Sequence, residues 1–221
     1  MDFTLEAKEY DSFSDRMGVI INDLKELIVE SEATLEGNCF YYHCSLTLCK
    51  EQYTKQVNVF AFGKGAESKV CEIGFNAGHS TILMLLGREK TKLDYTIFDI
   101  DHHQYTRPCF DYVVRQFQNV NFEFIKGNSI ITMPEWIENN KHLKGSYDLI
   151  HVDGGHSEEC IQNDMKNTDI LIKVNGIVII DDTDGPIIKA CVEQYLSSGK
   201  YREIKVLETL VYQHRILQKI K

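Results

Sequence analysis

Three acids stand where two apolar runs end. Asp153 closes Tyr147-Asp148-Leu149-Ile150-His151-Val152, and Asp181 and Asp182 close Ile177-Val178-Ile179-Ile180. If those runs are neighbouring strands, the carboxylates crowd together, repel one another and resist ionisation. A divalent cation removes that conflict. An all-oxygen donor set favours a hard ion such as Mg²⁺, with Ca²⁺ or Mn²⁺ also compatible. The competing reading has one or more of these acids capping the loops that follow. His156 lies just past Asp153, across Gly154-Gly155, a pair that permits a sharp turn and returns the imidazole toward the acids. Imidazole takes protons near neutral pH without a large shift, which makes His156 the candidate catalytic base. Its other readings are ion ligand and cap of the helix at Ser157. His151 reads as structural, and nothing about the spacing of His102-His103 suggests a metal.

A second centre of chemistry is Val70-Cys71-Glu72-Ile73-Gly74-Phe75-Asn76-Ala77-Gly78-His79-Ser80, an apolar strand running into a glycine turn and then an apolar helix. Glycines there bring the main chain close to a bound cofactor. The free N–H groups of the helix start favour anionic or polar ligand atoms. Glu72 argues against a pyrophosphate, which a carboxylate repels. A cofactor with a cationic amino group and hydroxyls suits it better, and S-adenosylmethionine has both. Candidate cofactor residues in this stretch are Glu72, Gly74, Phe75, Asn76, Gly78, His79 and Ser80, with Asp153 beside them. Phe98-Asp99-Ile100-Asp101 ends another apolar run, and a carboxylate there can accept from both ribose hydroxyls. Asp99 is the first choice and Asp101 the second, because alternation does not fix where the strand stops. Asn128 and Ser129 are candidates for the adenine edge, against a plain turn.

The elements that must position these groups alternate from residue 68 onward. Strands are expected over 68–74, 94–101, 120–126, 147–153 and 177–181, then a closing hairpin over 201–207 and 209–217. Helices are expected over 79–89 and 107–118, from the Thr132-Met133-Pro134-Glu135 capping box, from Ser157 to Asn175-Gly176, and from Pro186 to Gly199. Residues 1–67 read mostly as helix. Met17, Ile20, Ile21, Leu24, Leu27 and Ile28 form one stripe that Ser12 or Ser14 can cap. Repeated βα units imply a parallel sheet with right-handed crossovers, whose ligands sit outside the carboxyl ends of the strands. The chain divides into a helical N-terminal extension, 1–67, and a cofactor-binding domain, 68–221.

A net charge of -9 over 221 residues argues against a nucleic-acid or anionic-membrane partner. No apolar run approaches a membrane span, and Met1-Asp2-Phe3-Thr4-Leu5-Glu6 lacks a signal-peptide pattern. Seven scattered cysteines fit a reducing compartment, so a cytoplasmic location is expected. Cys39, Cys44 and Cys49 with His43 do not have zinc spacing and read as apolar thiols.

Together these residues resemble the class I S-adenosylmethionine-dependent methyltransferases, over nearly everything from residue 55 onward. Glu72-Ile73-Gly74-Phe75-Asn76-Ala77-Gly78 looks like the family's first motif, and Asp99 matches its ribose acid. Tyr147 to His156 resembles the strand-four motif of the catechol-like and macrocin-like, metal-dependent O-methyltransferases. The resemblance implies a Rossmann-like, doubly wound α/β sheet of seven strands, mostly parallel with the last antiparallel. It implies Mg²⁺ on Asp153, Asp181 and Asp182, and His156 as base toward a small hydroxylated acceptor. A homo-oligomer is compatible with it. Departures are Val174-Asn175-Gly176 where Pro-Gly-Gly is usual, and Asn128 where an acid is common. An amide there still accepts from an adenine amino group. Three rivals remain: a metal-independent N- or sugar methyltransferase, a nicotinamide oxidoreductase (Asn76 stands where its middle glycine would be), and a non-catalytic cofactor-binding module. Phe40, Tyr41, Tyr42, Trp136 and the 183–187 loop are the candidates for acceptor walls, with most of the aromatics expected in the buried core instead.

Overall fold

The computed structural model describes residues 1–42, 44–88 and 92–221. Seven strands form one sheet: β1 (Lys69–Ile73), β2 (Leu93–Asp99), β3 (Val120–Lys126), β4 (Tyr147–Val152), β5 (Ile172–Ile180), β6 (Tyr201–Glu203) and β7 (Arg215–Lys219). Their order is β3-β2-β1-β4-β5-β7-β6, parallel except for β7, which runs antiparallel to both its neighbours. This is the expected doubly wound, Rossmann-like sheet. Its strand order reverses between β1 and β4, the place where sheets of this kind bind ligands.

Strand alternation builds the core on both faces. Val70, Ile97, Leu149 and Ile179 point into one apolar layer. Cys71, Phe98, Ile150 and Ile180, their neighbours in sequence, point into the other. The first layer is covered by α1 (Phe3–Asp11), α2 (Ser14–Glu30), α3 (Tyr53–Gly65), α4 (His79–Leu85) and α5 (Thr106–Gln116). The second is covered by α6 (Ser129–Asn139), α7 (Glu158–Leu171) and α8 (Pro186–Ser197). Ile20, Ile21, Leu24 and Ile28 of α2 and Phe60 of α3 share one cluster with Val70 and Tyr95 of the sheet, so the N-terminal helices complete the sheet's own core. Among the described residues no helix is long and apolar enough to cross a membrane.

Several boundaries differ from expectation for local reasons. Neither Ser12 nor Ser14 caps α2. The Ser12 hydroxyl instead donates to the Glu9 carbonyl and closes α1. The helix starting at His79 stops at Leu85, and residue 89 lies outside the described residues. α6 opens at Ser129 rather than at Thr132, because the Asn128 side chain accepts from the Ile130 N–H and caps it a turn earlier. α7 ends at Leu171, so Asn175-Gly176 falls inside β5, where Asn175 is left-handed (φ 68) and the register against β4 shifts. Asparagine tolerates that conformation better than most residues, so an irregular strand mimics a helix stop. The closing strands pair as expected but are shorter, with residues 204–214 connecting them. Cys39 and Cys49 are buried and Cys44 is exposed, all three as free thiols; His43 lies outside the described residues.

Candidate active site

The turn after β1 takes its shape from contact with β4. Gly74 has φ 91, and a Cβ there would stand 2.0 Å from the Asp153 carbonyl oxygen. Only glycine lets the two strand ends approach so closely. Asp99, at the tip of β2, completes the turn. Its Oδ2 accepts from the N–H groups of Phe75 at 2.7 Å and Asn76 at 2.9 Å, and its Oδ1 accepts from the Asp101 N–H at 2.6 Å. Asp101 turns away to pair with Arg107 at 2.9 Å and Lys126 at 3.2 Å. Of the two acids, Asp99 lines the adjoining cavity.

That cavity has a volume of about 500 Å³. Gly74, Phe75, Asn76, His79, Ser80, Asp99, Asn128, Ser129 and Asp153 all line it. Gly78 does not face it, nor does Glu72. Glu72 is fully buried and accepts from Ser80, Thr81 and Tyr95, with His151 Nδ1 at 3.3 Å. The acid expected to meet the cofactor instead ties α4 to three strands from within the core. His79 packs edge-on against Phe40 and Tyr41, and burial pushes its pKa down to about 4, so the ring is neutral.

A second cavity, of about 850 Å³, lies beside the first. Asp184, Gly185, Pro186 and Ile187 of the 183–187 loop line it, and so does Tyr41. Tyr42 does not line it. Trp136 is elsewhere, edge-on to Phe98 and donating to Glu123 at 3.0 Å. Asp153, His156 and Asp182 border both cavities, as do Glu36, Gly37 and Asn38 of the segment before α3. That segment is held down from several sides: the Asn76 amide donates to the Glu36 carbonyl, the Glu36 N–H donates to the Tyr105 hydroxyl, and Glu36 pairs with His103.

The strand-tip acids have unequal surroundings. Asp182 has φ 53, and its Oδ2 meets His156 Nε2 at 2.9 Å. That hydrogen bond, outweighing desolvation, raises the His156 pKa above the ordinary histidine value. Burial and then the charge of Asp181 hold the Asp153 carboxyl far above the usual carboxylate range. Asp181 is buried too, yet its pKa is held low, because the Lys55 ammonium sits 2.6 Å from Oδ2. Lys55 comes from α3 and is 2% exposed. Sequence reasoning missed it, since one lysine beside Val57, Val59 and Phe60 reads as a helix-surface residue.

Donor atoms of Asp153, His156 and Asp182 lie within 4.8 Å of one another, as do those of His151, Asp153 and Asp181. Two carboxylates and an imidazole at one strand junction fit a divalent cation, since Mg²⁺ commonly binds through one or two carboxylates and keeps several waters. Among the three acids, Asp181 alone already has a full positive charge at hydrogen-bond distance.

Residues 71–183 match the model of a family described as a methyltransferase domain. No curated protein sequence matches the chain. Among solved structures, the fold is similar to CalS11, a TDP-rhamnose 3'-O-methyltransferase of calicheamicin biosynthesis (14% identity, 77% of this chain and 80% of that one, TM-score 0.63). It is also similar to an O-methyltransferase from Bacillus cereus in complex with S-adenosylhomocysteine (15%, 92% and 91%, TM-score 0.62). A third is the S-adenosylhomocysteine-bound methyltransferase PaMTH1 from Podospora anserina (13%, 95% and 96%, TM-score 0.58). At such identities the likeness is one of fold.

Proposed function

The chain belongs to the methyltransferase-domain family and is an S-adenosylmethionine-dependent methyltransferase, and on that premise we propose that it methylates a hydroxyl group of a small molecule. The supporting observation is the wall shared by the two cavities. A methyl donor held by Asp99 and the glycine turn, and an acceptor held against the 183–187 loop, meet at Asp153, His156 and Asp182.

In this reading Asp99 accepts from a ribose hydroxyl at the one site that its three main-chain hydrogen bonds leave, and those bonds keep the turn closed. Asn128 and Ser129 meet the adenine edge. His156 Nε2–H donates to Asp182, which orients the ring and stabilises the imidazolium that results, and Nδ1 takes the acceptor's proton. Much of the acceleration comes from aligning donor and acceptor, an effect worth roughly 7–11 kcal/mol in favourable cases. A divalent cation, when bound by Asp153 and Asp182, supplies Lewis acidity that lowers the pKa of a hydroxyl. A metal-independent version draws on the Lys55–Asp181 pair, which discharges one acid without an ion.

Formation of S-adenosylhomocysteine with a panel of hydroxylated acceptors tests the activity. His156→Ala is expected to lower kcat by about 10²–10⁴-fold and leave S-adenosylhomocysteine affinity unchanged. Equal loss of turnover and cofactor affinity would make His156 a structural residue. Chelator treatment separates the ion-assisted version from the metal-independent one.

A further inference from the structure

The geometry points to Lys55 as the residue that keeps Asp181 out of the ion's ligand set, leaving a divalent cation to Asp153 and Asp182. The inference rests on the ion-assisted reading above. Both oxygens of Asp181 are engaged. Oδ2 is 2.6 Å from the Lys55 ammonium, and Oδ1 accepts from the Asp182 N–H at 2.9 Å. The two side chains line the second cavity but are only 3% and 4% exposed, so little water reaches either partner. An ion that drew Asp181 away would strand a buried ammonium, and an uncompensated buried charge is strongly unfavourable.

Lys55 cannot readily follow the carboxylate. Its helix, α3, is packed at Val57, Val59 and Phe60, and further along a Cβ on Gly63 would fall 2.2 Å from the Met84 Cα. The helix that carries the ammonium is therefore fixed in place. Asp182 differs in every respect: its left-handed backbone turns its carboxylate to the cavity wall, it is half-exposed, and its partner is the imidazole of His156. Around the junction the other charged or titratable groups include Asp153, Asp184, His151, His214 and the buried thiol of Cys39. Lysine provides the only permanent positive charge among these groups. It stands in for the ion at one acid and leaves the ion to the other two.

Mn²⁺ affinity, read by electron paramagnetic resonance on the full chain, tests this. The double variant Lys55→Met/Asp181→Asn removes the buried pair together, a change that proteins tolerate better than loss of one partner. It is expected to bind Mn²⁺ within about threefold of wild type, whereas Asp182→Asn weakens binding by at least about tenfold. Lys55→Met alone frees a third carboxylate and tightens Mn²⁺ by about tenfold. S-adenosylhomocysteine binding and thermal melting establish that each variant is folded. If the double variant loses as much affinity as Asp182→Asn, Asp181 is a ligand and the inference fails while the ion-assisted reading stands. Mn²⁺ binding absent from wild type and from every variant would overturn both.

Discussion

Asp99 does two jobs with one carboxylate, and its replacement tests both. It accepts three main-chain N–H groups and still lines the first cavity. Asp99→Asn is expected to weaken S-adenosylhomocysteine binding by about tenfold or more, because charge-assisted hydrogen bonds are worth about 1.5–3 kcal/mol each. Titration calorimetry measures this, and unchanged affinity would leave the acid with the turn alone. The choice between Asp99 and Asp101 was not legible in the chain, since both follow the same apolar run. In the fold Arg107 and Lys126 pair with Asp101 from other elements, and Asp99 is the one that lines the first cavity. Glu72 was misplaced because its motif neighbours do face the cavity. Strand alternation turns its side chain inward to Ser80, Thr81 and Tyr95, a network visible only once α4 and β2 are in place. Lys55 carried no readable signal at all. Its meaning is a contact with a residue 126 positions away.

Strands with a clear period were legible as elements, and β3 fell on its expected bounds. What escaped were elements whose ends are set by partners. β5 passes through Asn175-Gly176 because β4 and β7 hold it on either side, overriding the turn chemistry of that pair. α6 begins at the cap offered by Asn128, although Thr132 to Glu135 has a valid spacing of its own. α3 crosses α4 at close range at Gly63, where a Cβ would meet the Met84 main chain at 2.2 Å. Gly63→Ala is expected to destabilise the fold by about 3 kcal/mol, at the upper end of overpacking costs, since the obstructing atoms are main chain rather than a movable side chain. Urea unfolding measures the loss. Because α3 also carries Lys55, this substitution is expected to disturb the Asp181 pair as well. A loss under about 0.5 kcal/mol would mean that the helices part freely.

At the scale of the molecule, buried titratable groups limit stability from both sides of neutrality. Burial lowers His79 and His214 to about 4, below the value of 6.5 for an unhindered histidine. The unfolded chain therefore binds protons that the native state does not. The associated stability is complete above 6.5 and falls as pH drops from there toward 4. Burial raises Asp164 to about 6 from 3.8, which has the opposite sense: its contribution is complete below 3.8 and is lost as pH rises through 6. Thermal melting should accordingly decline on acidification below 6.5. Asp164→Asn is expected to stabilise the protein above pH 6, by up to about 3 kcal/mol, because the amide stays neutral where the acid must not ionise. A variant no more stable than wild type at pH 8 would show that the carboxylate is accommodated in the core.

The strap formed by Glu36, Gly37 and Asn38 has a kinetic consequence. It borders both cavities, and Asn76 of the glycine turn grips it by the Glu36 carbonyl. Whatever fills the first chamber presses on the rim of the second, so the two substrates should not enter in random sequence. Compulsory-order kinetics are expected, nucleoside first. S-adenosylhomocysteine would then inhibit competitively against the methyl donor and non-competitively against the acceptor, a pattern that initial-rate plots can read.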